Sequence, residues 1–263
     1  MKRYLFSLIW IVALVQIHAQ ERPSFTDARW DYFTTDIHNH LYLWKDGFLS
    51  LYEIEGNHLA DYSSPKDGNI TTVSANLGTK ILLFHQEAGS IQLLDNKLLP
   101  ITKPLNLFDK SLFSISLAAL LGTSQIVLYD EANQDLLITD LNLNILNKTH
   151  CDFSKNFAPQ LLKINSEKEI LLVDSISGVY FFDTFGTFVK KIALPHIEDA
   201  QLFKNTLIFL KNNHLHSYHL LTLEHNDIEM VASYAIKAFE LTRFYSIFLD
   251  KNGHIHLEKN IID

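Results

Sequence analysis

From about residue 30 onward the apolar positions fall into bursts of five or six residues separated by turn residues, and no stretch keeps a helical period. Six bursts are alike: His40–Trp44, Lys80–Phe84, Gln125–Tyr129, Glu169–Val173, Thr206–Leu210 and Tyr245–Leu249. Each is rich in β-branched or aromatic residues and leads into turn residues, which predicts a buried strand followed by a tight turn. A second strand follows each turn: Phe48–Tyr52, Ser90–Asp95, Leu136–Asp140, Val179–Asp183, Leu215–Tyr218 and His254–Leu257. Those ending in Asp95, Asp140 and Asp183 place a carboxylate where an Asx turn fits. A weaker, more polar strand comes next, as in Asn57–Tyr62 and Thr187–Ile192.

The last residues of the six bursts are 40, 45, 44, 37 and 39 positions apart. That period is too long for one coil of a β-helix and fits one four-stranded blade. The chain is therefore predicted to be all-β, a six-bladed β-propeller. An open ring, five blades or a pair of β-sandwiches are the alternatives. The sixth unit stops early, because only Asn260–Asp263 follow its third strand. The segment Gln20–Asp27 is placed to supply the missing strand and close the ring, removing edges that would template aggregation.

The N-terminus changes the picture. Lys2 and Arg3 precede an apolar run, Tyr4–Val15, and Gln16–Ala19 ends in a small residue, the pattern of a cleaved signal peptide. Residues 1–19 are expected to be removed and residues 20–263 to form a single propeller domain. The run is too short for a transmembrane helix, which needs about 20 apolar residues. The reading is export, to the periplasm, the cell surface or the medium, with no membrane span after cleavage. Losing Lys2 and Arg3 takes the formal charge from −8 to −10. So acidic a chain argues against nucleic acid, whose phosphates require a basic patch. Cys151 is the one cysteine, so no intramolecular disulfide can form, and a small buried residue is expected there.

The runs Asp36–Leu43, Val127–Asp130 and Tyr180–Phe188 resemble those of uncharacterised secreted six-bladed β-propeller-like proteins of Bacteroidota. The likeness spans the mature chain and implies architecture without an activity or site residues. Where such relatives tend to carry Gly-Asn this chain has His38-Asn39, and it holds no WD or kelch signature.

Motifs that carry chemistry are scarce. There is no Gly-x-Ser-x-Gly elbow, phosphate-binding glycine loop or His-Glu-x-x-His helix. Three His-x-His pairs, His38/His40, His214/His216 and His254/His256, put two imidazoles on one strand face each. The first belongs to a turn between first and second strands, the others to turns between second and third, so the pairs lie on opposite faces and cannot converge. No cysteine or closely placed carboxylate is read as completing a site, so no metal site and no cofactor are expected. The turns between second and third strands carry Asp46, Glu87, Asp130, Asp174 and Asp250, a candidate acidic ligand face for a basic partner; such residues also belong in tight turns for local reasons. Asp174-Ser175-Ile176 fits the short pattern known for O-glycan attachment in exported proteins of that bacterial group. No catalytic residue is assigned. The expectation is a non-enzymatic binding or scaffold module for an unknown protein partner or a glycan. The alternative is a hydrolase or lyase with substrate in the central funnel, which two or three convergent ionisable groups there would favour. A flat face with exposed aromatics would favour the binder.

Overall fold

The computed structural model describes Phe25, residues 28–154, 157–165, 167–228 and 233–260. The signal sequence, the cleavage point after Ala19 and most of the closing segment Gln20–Asp27 lie outside the described residues; Phe25 is the exception.

Strands account for nearly all the regular structure. The first sheet joins β1 (Tyr32–Thr35), β2 (His40–Lys45), β3 (Phe48–Glu53) and β4 (His58–Ser63). The second joins β5 (Thr72–Ser74), β6 (Lys80–His85), β7 (Ser90–Asp95) and β8 (Leu105–Asn106). The third contains β9 (Ile115–Leu121), β10 (Gln125–Asp130), β11 (Asp135–Asp140) and β12 (Ile145–His150). The fourth contains β13 (Leu161–Ile164), β14 (Ile170–Asp174), β15 (Gly178–Phe182) and β16 (Phe188–Ile192). The fifth is built from β17 (Asp199–Phe203), β18 (Thr206–Lys211), β19 (His214–His219) and β20 (His225–Ile228). The sixth has three strands among the described residues, β21 (Ile236–Leu241), β22 (Tyr245–Asp250) and β23 (Ile255–Lys259). Every sheet is an antiparallel meander in chain order, the first strand innermost, so the chain is a six-bladed β-propeller. The open-ring, five-bladed and sandwich alternatives fall away.

The second strand of each blade explains the uninterrupted apolar bursts. It is buried on both faces, so neighbouring residues serve opposite blade interfaces instead of alternating in and out. In β10, Ile126 and Leu128 pack towards the second blade while Val127 and Tyr129 pack towards the fourth. In β18, Leu207 and Phe209 face the fourth blade while Ile208 and Leu210 face the sixth. The buried side chains form one cluster per blade boundary. The cluster that joins the ends of the ring sets Trp30, Phe33, Leu41 and Leu43 against Ile247, Leu249 and Ile255. Phe25 is fully buried in it, lies edge-on to Tyr52 with centroids 5.5 Å apart, and its carbonyl accepts the Trp30 indole N–H at 3.2 Å. Trp30 N–H also donates to the Gly253 carbonyl, 2.8 Å, fastening the start of the first blade to a turn of the sixth.

Asp95, Asp140 and Asp183 make the predicted Asx turns. Each Oδ1 accepts the backbone N–H groups two and four residues on at 2.8–2.9 Å. Asp36, Asn165 and Asp250 repeat the geometry. Cys151 is buried as expected, and burial pushes its thiol up to about 12, far from a reactive thiolate. Among the described residues no helix is long and apolar enough to cross a membrane.

Candidate functional site

The innermost strands of neighbouring blades diverge around the axis instead of pairing, so each presents unpaired backbone groups to the centre. They enclose a channel of about 1710 Å³. Side chains bridge the blades where a ladder would otherwise run. Lys163 of β13 reaches Asp199 of β17, Nζ to Oδ1 2.6 Å, and the other Asp199 oxygen accepts the Phe239 N–H at 3.1 Å. The Gln201 amide takes both backbone groups of Leu241, donating at 2.9 Å and accepting at 2.7 Å. The Leu120 N–H donates to Ser74 Oγ, 3.0 Å.

Glu240 on β21 closes the ring at this level. One of its oxygens accepts the Thr34 hydroxyl at 2.8 Å, and the other accepts the Thr35 N–H and hydroxyl at 2.7 Å each. Desolvation raises its pKa, against the opposing pull of Lys163 and the threonine donors. Lys237 Nζ donates to the Asp31 carbonyl at 2.7 Å and lies 4.3 Å from the centroid of the Tyr32 ring. Lys163, Asp199, Lys237 and Glu240 are thus each held by a neighbouring blade, while Glu131, Glu167, Lys204 and Arg243 also line the channel.

The turns between second and third strands share one face. Of the five carboxylates read there as a ligand rim, Asp46 and Glu87 are exposed. Asp130, Asp174 and Asp250 are buried and occupied locally. Asp130 accepts Ser114 Oγ, 2.6 Å, and the N–H and amide of Asn133. Burial pushes the Asp130 carboxyl up, but those hydrogen bonds outweigh it and leave it below the ordinary range. Asp174 accepts the Ile176 N–H at 2.8 Å. Asp250 takes two turn N–H groups and the His256 ring at 3.0 Å, again netting a lowered pKa despite burial. In the sequence Asp174-Ser175-Ile176 the aspartate is buried, the serine is half-buried and the isoleucine is exposed.

The opposite face carries the turns between first and second and between third and fourth strands. Every blade exposes a large apolar side chain in or beside these turns: Ile37, Leu99, Leu146 at the start of β12, Phe185, the pair Leu221 and Leu223, and Phe244. Leu221 is 73% and Phe185 71% exposed, well outside what a turn needs for its own stability. Ile37 and Phe244 stand at the channel mouth, beside Lys204 and Arg243. The set is not legible in the sequence, because one or two apolar residues in or beside each turn give no sign of which point to solvent or that all lie on one face.

Two of the three histidine pairs are held by aspartates of their own turns. His40 Nδ1 meets Asp36 Oδ2 at 2.8 Å; His254 and His256 meet Asp250 at 3.4 and 3.0 Å. The expectation that no carboxylate stands close is thus corrected at the first and third pairs, and at the middle pair Asp227 corrects it again, 2.7 Å from His216. His214 is not joined with His216. The register of β19 on β20 instead sets His216 opposite Asp227 and Tyr218 opposite His225. The three ligand atoms of His216, His225 and Asp227 lie within 4.8 Å of one another. The signal was available as a second i, i+2 pair, His225-x-Asp227, but only the strand register connects it with His216.

No protein-family profile matches the chain, and no curated protein does. Solved structures do. The WD40 domain of Pan2 from Neurospora crassa superposes with a TM-score of 0.61 at 14% identity, covering 92% of this chain and 78% of that one. Virginiamycin B lyase from Staphylococcus aureus gives 0.59 at 12%, covering 88% and 84%. Its catalytically inactive variant with quinupristin gives 0.60 at 12%, covering 89% and 85%. At such identities these likenesses establish the propeller fold and nothing finer.

Proposed function

We propose that the protein is an exported, non-enzymatic binding module that engages a protein partner through the face bearing Phe185 and Leu221. The observation that carries this reading is the exposed apolar residue contributed by every blade on that side. Solvent-facing Leu and Phe at turn tips add nothing to the blade interfaces, whereas aromatic and aliphatic anchors within a polar surround suit a protein interface. The basic mouth residues Lys204 and Arg243 favour a partner with acidic groups near the axis. The opposite, acidic face is the weaker candidate, because three of its five carboxylates serve their own turns. Export rests on Lys2, Arg3 and the apolar run to Val15.

The competing reading, a hydrolase or lyase, draws on Glu240, a carboxyl with a raised pKa in a channel. Its three hydrogen-bond donors all belong to the wall of the first blade, which supports the role of a strut.

The test is capture from the native envelope with bait starting at Gln20. Three baits are compared: the wild type, Leu221→Asp with Phe185→Asp, and Ile176→Asp on the other face. A partner retained by the first and third and lost by the second is expected. Capture insensitive to the double variant, or no partner at all, would overturn the assignment.

A further inference from the structure

The third and fourth strands of the fifth blade carry a group of side chains that neither the fold nor the proposed interface uses. His216 and Asp227 are directly opposed on β19 and β20, and His225 lies two residues from Asp227 on the same face. His216 Nδ1 and Asp227 Oδ1 are 2.7 Å apart. The His216 and His225 rings are 5.6 Å apart at their centroids. Phe209, fully buried in the interface with the fourth blade, lies 5.2 Å from the His216 ring and 5.5 Å from the His225 ring, a fixed floor under both. A His–Asp hydrogen bond accounts for two members of the group. It gives no reason for a second imidazole on the same floor.

We propose that His216, His225 and Asp227 form a surface site for a divalent transition-metal ion of the zinc class, with water completing the coordination. Two imidazole nitrogens and one carboxylate oxygen are a recurrent donor set for such ions, and a poor one for calcium or magnesium, which take oxygen ligands. With metal–ligand bonds of about 2.0–2.1 Å, tetrahedral ligand atoms sit roughly 3.3 Å apart. The His216–Asp227 contact must therefore open slightly and the His225 ring swing inward. Both are side-chain rotations at the rim of the ring: Asp227 is 84% exposed, and β20 is the outermost strand of its blade.

Titration of tag-free protein with Zn²⁺ by calorimetry, with Co²⁺ absorption as a spectroscopic check, tests the site. One saturable equivalent is expected in the wild type, weakened at least tenfold by His225→Ala and by Asp227→Asn. His38→Ala and His254→Ala should leave it unchanged, and Mg²⁺ and Ca²⁺ should give no binding. Histidine side-chain NMR of the wild type supplies a readout independent of the variants: Zn²⁺ should shift the ring nitrogens of His216 and His225 first. Absence of saturable Zn²⁺ binding, binding indifferent to His225→Ala, or first shifts at other histidines would each overturn the proposal.

Discussion

Single turn residues do much of the work of spacing the strands. In the six turns whose first side chain accepts the N–H groups two and four residues on, the fourth position adopts a left-handed backbone: Asn39, Leu98, Leu143, Lys168, Gly186 and Gly253. For Leu98 (φ 59°) and Leu143 (φ 63°) this costs about 1–2 kcal/mol. Both side chains are buried at a blade boundary, which returns about 2 kcal/mol. The side-chain oxygen at the first position holds the two N–H groups that such a tight turn leaves unpaired. Asp183→Ala removes both bonds of the β15–β16 turn and should cost about 1 kcal/mol, a fall of about 3 °C in Tm. Asp183→Asn should cost a few tenths at most, because Asn165 makes the same turn with an amide oxygen. Equal losses in the two variants, measured by urea and thermal unfolding, would show that the charge matters and not the acceptor. The same residue type accounts for what the sequence reading of the acidic face left out. An aspartate in a turn has one signature whether its oxygens meet solvent, as at Asp46, or its own backbone, as at Asp130, Asp174 and Asp250.

At the scale of elements, the inner strands are joined by side chains where other sheets use ladders, and Glu240 is the strut whose charge is most costly. Its folded pKa is raised, so its contribution to stability is fully present below the unfolded value near 4.5 and is lost as pH rises through the folded value. Glu240→Gln keeps an oxygen for Thr35 and offers an N–H to the Thr34 hydroxyl, reproducing the protonated carboxyl. The prediction is that Tm of the wild type falls relative to Glu240→Gln between pH 4 and pH 8. Carboxylates with lowered pKa, such as Asp130 and Asp250, act oppositely in each protein and cancel in the difference. A wild-type advantage that grows with pH would mean that Lys163 holds the ionised form, making the group an ion-pair member and not a buried acid. The blades themselves were legible in the sequence because β2, β6, β10, β14, β18 and β22 are apolar on both faces. The struts were not, since Glu240, Gln201 and Lys163 stand in short polar-containing strands whose partners lie tens or hundreds of residues away.

The whole molecule is a ring, and its stability depends on the boundary that joins the two ends of the chain. The sequence pattern pointed to that boundary by counting: the sixth unit shows three strands among the described residues, and the cluster of Phe25, Trp30 and Leu43 with Ile247 and Leu249 packs against it. The candidate surfaces could not be counted in the same way, because an exposed Leu221 or an imidazole at His225 acquires meaning only once six turns share a face or two strands share a register. Closure should be visible in how the molecule unfolds. Phe25→Ala empties a fully buried aromatic site and should cost about 3–5 kcal/mol. Phe181→Ala, at the boundary between the fourth and fifth blades, should cost a similar amount. The two differ in what they release. Every blade in a closed ring is held on both sides, and loosening the first–sixth boundary leaves the sixth blade held mainly by the fifth. Hydrogen exchange should therefore quicken in β22 of Phe25→Ala far more than in β14 of Phe181→Ala, whose blade retains its covalent continuity in both directions. Equal protection of β22 and β14 in the two variants would show that the ends of the chain are no weaker than its middle, and that Phe25 fills a core without latching the ring.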